Sequence, residues 1–333
     1  MITNLDYCVA IRTLGTAGDK YQKELDSLMA QTIKPKKILV YIAEGYPLPK
    51  ETVGFEEYIR CPKGMVAQRA LPFAEVDTSL CLFIDDDVYL PPTAVEKLIE
   101  SLVKMDGDCI AADTFRNQDM SIWGKLRAIV TNWVIPRFDD KWAFKIGYTG
   151  TFSYNGNPKK DVYLSQSAAG PCSLWRMDSF HQIHYEDELW MDKLGFVGFD
   201  DLVYFQKLYR NGGKLLVHYN CGILHLDAKS GRSSLKQYSR KFFVRSFLWL
   251  VVWWRIKFTA DDVAWYDKML AAFLFLIRLI WDGSMHLIFC AYNFTLVPFV
   301  CWIKGIGSGL LYIKSKEFRN LPKYVSDVNH ISR

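Results

Sequence analysis

Three adjacent carboxylates, Asp85, Asp86 and Asp87, close the run Cys81-Leu82-Phe83-Ile84 and precede Val88-Tyr89-Leu90-Pro91-Pro92. Residues 81–84 are strand formers, and the two prolines forbid the strand to continue. The carboxylates therefore lie at a strand's C-terminal edge, where the loops of an open α/β sheet form a ligand crevice. Alternate strand residues point the same way, so Asp85 and Asp87 share a side and Asp86 faces opposite. Two same-side carboxylates repel unless a cation joins them. A hard divalent ion does so through oxygen ligands and keeps coordination positions for water and substrate phosphates. The alternative is a solvated acidic turn after a buried strand.

A second acidic pair, Asp200-Asp201, opens an apolar-periodic stretch from Leu202 to about Arg210 that stops at Asn211-Gly212-Gly213. At a helix start one carboxylate caps the amides and the other is free to face a substrate. A like-charged neighbour raises the pKa of that second group and suits it to take a proton. The alternative is a plain capping pair.

Positioning such groups requires a scaffold, and the chain before Asp85 supplies one. A short strand from Tyr7 breaks at Gly15, a helix runs over 21–31, and Lys37-Ile38-Leu39-Val40-Tyr41-Ile42 is a second strand. This is a right-handed βαβ unit. A third strand near Tyr58–Cys61 leads to a Gly64 loop and a helix to about Val76. After Pro92, Thr93 caps a helix with Val95, Leu98, Ile99 and Leu102 at helical spacing, followed by a strand over 108–112. The alternation is that of a doubly wound nucleotide-binding half. Residues 115–165 break it with an amphipathic helix over 122–134 and a hairpin signal at Asn155-Gly156, an insertion suited to a lid or to the second substrate. Small residues at 168–170 allow close backbone approach to a ligand. A strand over 215–219 and His225 follow.

Composition bounds the rest. Half of the 333 residues are apolar and 15% are aromatic, which excludes a disordered chain. Eight cysteines are scattered without Cys-x-x-Cys spacing and read as buried thiols in a reducing compartment. The first fifteen residues do not read as a signal peptide. The net charge of +5 divides into −5 over 1–228 and +10 over 229–333. That basic tail is rich in Trp, Phe and Leu and includes the uncharged window 283–303. It points to helices lying on or dipping into an anionic membrane surface, not to nucleic acid, for which there is no module signature.

In order and spacing, these elements resemble the GT-A, family 2 glycosyltransferases over about residues 6–227. The resemblance rests on Leu28-Met29-Ala30-Gln31-Thr32-Ile33-Lys34-Pro35, Ala67-Gln68-Arg69, Phe83-Ile84-Asp85-Asp86-Asp87 and Gly198-Phe199-Asp200-Asp201. It implies a Rossmann-like, mostly parallel sheet with flanking helices that binds a nucleotide-diphospho-sugar, usually UDP-linked, with Mn2+ or Mg2+. By position, Arg12, Thr13 and Glu44 would approach the base, Lys63 and Arg69 the nucleotide, and Asp86 the ribose or sugar. Asp87 would contact the metal with Asp85, His225 falls where some relatives add a metal or diphosphate contact, and Asp201 matches the base.

Two features depart from the pattern. The loop Ile42-Ala43-Glu44-Gly45 lacks the usual paired aspartates, and Asp200 stands where Glu is common, which leaves open which carboxylate is the base. No Gln-x-x-Arg-Trp motif of processive synthases is found, so transfer of a single sugar is expected.

The resulting expectation is a catalytic domain over 1–228 and a membrane-associated helical region over 229–333. The enzyme would be inverting, of bacterial type, at the cytoplasmic face of a membrane, and act on a glycan or lipid-linked acceptor in surface-polysaccharide assembly. A phosphatase of the Asp-x-Asp type is disfavoured because Tyr89 stands at its fifth position. A non-catalytic scaffold or nucleotide-sugar-binding protein on the same fold would show a spoiled metal motif or base, and neither is spoiled here.

Overall fold

The computed structural model describes residues 6–114, 141–195, 198–226 and 235–325, with backbone alone for 235–238. The first strand, β1 (Tyr7–Thr13), is buried along its whole length. It lies between two parallel neighbours, β2 (Lys37–Ala43) and, after β3 (Glu56–Cys61), β4 (Leu80–Asp85). Continuous apolar runs such as these belong to strands covered on both faces. A two-residue β5 (Val88–Tyr89) follows the acidic turn. Beyond it come β6 (Cys109–Ala112), β7 (Phe144–Ile146), β8 (Phe152–Tyr154), β9 (Val162–Leu164), β10 (Cys172–Arg176), β11 (Leu215–His218) and β12 (Leu224–His225). The main sheet has eight strands in the order β3-β2-β1-β4-β10-β6-β11-β9. Strand β10 is antiparallel to both its neighbours and β9 to β11, and the other six run one way.

Strand alternation sorts the core. Val9, Ile11, Leu82 and Ile84 pack beneath α1 (Asp19–Met29) and α3 (Ala94–Lys104). Cys8, Ala10, Cys81 and Phe83 face the other way, toward α5 (Asp200–Arg210) and α6 (Leu235–Phe258). Asp85 is in phase with Cys81 and Phe83 and so emerges on the α5 face. Between these elements lie α2 (Met65–Arg69), α4 (Met177–His181) and a 3-10 helix, Tyr185–Leu194.

The structure corrects several expectations. Helix α2 ends at Arg69 instead of near Val76, because Pro72 cannot extend a helix and Phe73 has a φ of 47°. The helix expected over 122–134 lies outside the described residues. The hairpin turns at Gly147–Thr151, where the Gly147 N–H donates to the Thr151 carbonyl at 2.8 Å. Asn155-Gly156 is only its exit, and β9 joins the edge of the main sheet. The indole N–H groups of Trp253 and Trp249 on α6 bond the carbonyls of Tyr148 and Thr149 at 2.9 and 2.8 Å, which holds the turn there.

Helix α6 packs into the same core as the sheet. Val244, Leu248, Val251, Val252 and Ile256 of α6 share one cluster with Phe83, Trp175 and Phe205. Arg255 is buried with Glu188 at 2.9 Å, and the Tyr324 hydroxyl reaches the Val203 carbonyl at 3.2 Å. The uncharged window 283–303 is broken as well. Helix α7 (Trp265–Tyr292) ends inside it, and α8 (Val297–Tyr312) begins after a turn, with α9 (Lys316–Arg319) following. Among the described residues, one helix, α7, is long and apolar enough to cross a membrane. All eight cysteines are free thiols.

Candidate active site

Arg69, the last residue of α2, gathers the acidic groups of two distant segments. Its guanidinium bonds Asp200, lies 2.9 Å from Asp201 Oδ1 and 3.9 Å from Asp85 Oδ1. Five residues make a weak helix alone. Asp192, from the 3-10 helix, steadies α2 by accepting the Val66 and Ala67 N–H groups at 3.1 and 2.8 Å. Asp200 is sealed, with a side chain 7% exposed, whereas that of Asp201 is 36% exposed.

The N-cap of α5 is Phe199, and the two aspartates occupy the first two helical positions, contrary to the expectation of an aspartate cap. Arg69 holds both, and Asp201 Oδ2 also accepts the Gly170 N–H at 3.0 Å. A Cβ at Gly170 would overlap the Asp201 carboxylate, so the small residue before β10 is required by this approach. Burial pushes the Asp200 carboxyl up to about 7; Arg69 opposes the shift and the neighbouring Asp201 adds to it.

At the acidic turn each aspartate has a different partner. Asp85 pairs with the buried Arg12 at 3.0 Å, as their register in β1 and β4 dictates. Asp86 accepts from the Thr13 hydroxyl, whose oxygen in turn accepts the Gly15 N–H at 2.7 Å. Burial pushes Asp86 up, and its two acidic neighbours add to the rise. Asp87 meets His225 Nε2 at 2.9 Å and Lys20 at 3.8 Å. Burial would raise its carboxyl, but the bond and charge of His225 and the charge of Lys20 bring it below the usual range. The pairing of β5 with β12 sets His225 opposite Val88 and hence beside Asp87.

A divalent metal fits this donor set in part. Asp87 and His225 present an oxygen and an imidazole nitrogen to one point, a combination that suits Mn2+ better than the all-oxygen preference of Mg2+. Among the described residues no group of three His, Cys, Asp or Glu side chains converges for a metal, so substrate phosphates and water would complete the shell.

The remaining expected residues ring the same edge. Glu44 is exposed just past β2. Lys63, past β3, donates to the Tyr46 hydroxyl at 2.7 Å and lies over its ring at 4.9 Å. Arg12, expected near the base, and Arg69, expected near the nucleotide, are buried and paired with carboxylates.

Sequence reasoning missed the ladder beneath the turn. Glu24 and Ser27 on α1 and Gln31 just past its end, all buried, bond the chain that follows Asp87. Glu24 accepts the Val88 N–H at 2.9 Å, Ser27 the Leu90 N–H at 3.2 Å, and Gln31 donates to the Pro91 carbonyl at 2.9 Å. The signal was available as polar residues at i, i+3 and i+7 on an otherwise apolar helix face.

No family model and no curated protein matches the sequence. Solved structures do match. The chain is similar to GalNAc-T7, solved with UDP, GalNAc and Mn2+, with a TM-score of 0.50 at 13% identity. The match covers 85% of this chain and 58% of that one, so this chain spans well under two thirds of its length. It is also similar to the mannosyltransferase PcManGT from Pyrobaculum calidifontis, solved with GDP-Man and Mn2+, with a TM-score of 0.50 at 10% identity over 93% of this chain and 88% of that one. The fold is that of the GT-A glycosyltransferases. At these identities the likeness is one of fold, and the acidic turn and the Asp200-Asp201 pair lie at the sheet edge where α/β folds bind ligands.

Proposed function

We propose that this chain is an inverting glycosyltransferase of the family 2 type, moving one sugar from a nucleotide-diphospho-sugar to a hydroxyl of a glycan or lipid-linked acceptor. The observation that carries the reading is the Arg69 contact set. One guanidinium draws together Asp85 of the acidic turn and the Asp200-Asp201 pair, so the group that faces the donor and the group that faces the acceptor share one site.

In this reading Asp201, the more exposed of the pair, takes the proton of the acceptor hydroxyl as it attacks. Asp200 anchors Arg69, and Arg69 with Gly170 N–H holds Asp201 in place. Attack from the face opposite the departing diphosphate inverts the anomeric carbon. Glu44 and Lys63 bound the nucleotide side, and Thr13 with Asp86 the ribose. Asp87 and His225, with Asp85 nearby, would hold Mn2+ or Mg2+. Bound there, the ion neutralises charge on the leaving diphosphate. A UDP-sugar donor and a place at the cytoplasmic face of a bacterial membrane, in surface-polysaccharide assembly, complete the proposal.

The test is nucleoside diphosphate release from a panel of UDP-, GDP- and dTDP-sugars with Mn2+, in the presence of a membrane extract supplying acceptors. Turnover of one donor, lost on chelation and in Asp87→Ala, supports the reading. No turnover of any donor, with folded protein, overturns it in favour of a binding protein or scaffold.

A further inference from the structure

Among the described residues, the outer face of α7 has no partner. Met269, Phe273, Leu276, Ile280 and Leu287 recur at three-, four- and seven-residue spacing and are all exposed. At 100° per residue they form one stripe, which Trp265, 76% exposed, extends to the start of the helix. Charges avoid this stripe. Arg278 lies half a turn away, buried, and pairs with Asp282 at 3.1 Å on the inner side.

The inner sides of these helices are occupied. Gly305 and Gly309 bring α8 directly onto α6, against Phe243 and Leu250, with no room for a Cβ at either position. On α7, Phe275 stacks on Trp253 with ring centroids 3.7 Å apart, and Gly283 fits against Trp302. The turn between α7 and α8 contains Phe294, which is 97% exposed and has a φ of 50°. A bulky side chain in the left-handed region is uncommon.

We infer that α7 lies flat in one leaflet of an anionic bilayer, its stripe in the acyl boundary and the exposed Lys304, Lys314, Lys316 and Arg319 on lipid phosphates. Charge favours lipid over a second copy of the chain. Residues 229–333 carry +10, which anionic headgroups complement and an identical surface repels. Geometry favours lying flat over entry by the turn. Lys304 is only about 10 Å along α8 from Val297, so tip-first insertion would carry its charge into hydrocarbon. A helix with an apolar stripe along its length and cations beside it is the form that binds in the plane. This inference does not rest on the glycosyl-transfer chemistry.

The experiment floats the purified full chain with vesicles of phosphatidylcholine alone and of phosphatidylcholine with phosphatidylglycerol, without substrate. The protein should float with the anionic vesicles, more weakly as salt rises. Phe273→Asp and Ile280→Asp alter exposed positions, so they should keep the wild-type melting temperature and lose binding about tenfold or more.

Depth is read from a fluorophore on Trp265→Cys or Tyr292→Cys, each in a Cys301→Ser background, with quenchers placed shallow and deep in the lipid. Similar shallow quenching at both ends is the expected result. Deep quenching at 292 alone, or quenching from opposite leaflets, overturns the flat arrangement. Failure to float, with a doubled mass in sedimentation that Ile280→Asp abolishes, overturns the membrane and assigns the face to a second copy.

Discussion

Two ionic nodes lie about two turns apart along α5, one at Asp200 and one at Lys207, and differ in composition. At the sheet edge one cation, Arg69, serves three carboxylates: Asp85, Asp200 and Asp201. Beneath α6 one carboxylate, Glu188, serves two cations, Arg255 at 2.9 Å and Lys207 at 3.3 Å, and also accepts the Trp190 indole N–H at 2.8 Å. Asp200 and Glu188 are both desolvated, and burial alone would raise each of these carboxyls. Burial, aided by the neighbouring Asp201 charge and opposed by Arg69, leaves Asp200 up at about 7. The two cations overcome burial at Glu188 and bring it down to about 2. A node short of cations is poised to lose a proton or take up a cation near neutral pH. One whose carboxylates are matched by cations, as Glu188 by Arg255 and Asp187 by Lys207 at 3.2 Å, stays locked. The first has the makings of chemistry and the second joins the sheet to the C-terminal helices.

The comparison breaks most visibly if the two nodes are cut. Asp201→Asn should lower transfer by about 10²–10⁴-fold with unchanged thermal unfolding, since it removes a proton acceptor and leaves the packing. Equal loss of stability would move Asp201 into the structural class. Glu188→Gln should do the reverse. It strands two buried cations and is expected to cost about 3–5 kcal/mol in denaturant unfolding. A smaller effect, on the order of 10²-fold in kcat, is expected for Gly170→Ala, because its Cβ displaces the Asp201 carboxylate from Arg69.

A pH series separates the nodes without mutation. Asp200, raised by burial to about 7, should give kcat/KM an acid limb near pH 7, with activity rising as its proton leaves and its charge fixes Arg69 beside Asp201. Glu188 is depressed, so its stabilisation is complete above the ordinary carboxylate value and is lost only as pH falls from there toward about 2. Activity should therefore fade well before the fold does, as circular dichroism beside initial rates would show. The mildest change is Gln31→Ala, which removes one rung under the acidic turn. A loss of about 1 kcal/mol of stability is expected, with weaker Mn2+ affinity measured by electron paramagnetic resonance.

Much of the fold is legible in the amino-acid sequence because it is local. Strand runs, the proline stop after Asp85–Asp87 and the spacing of Leu98, Ile99 and Leu102 act over a few residues, where steric and periodic rules are strong. They determine the βαβ order, the edge position of the acidic turn and the apolar, basic character of the C-terminal region. What only tertiary structure decided depends on which distant groups meet. The Asp200-Asp201 pair reads as a helix cap until Arg69, 131 residues before Asp200, claims it. Asp85 and Asp87 read as twins until Arg12 and His225 divide them. The hairpin turns at Gly147–Thr151 because two tryptophans from α6 hold its carbonyls. A buried charge or donor must find a partner wherever the fold brings one within reach, and sequence spacing carries no record of that distance.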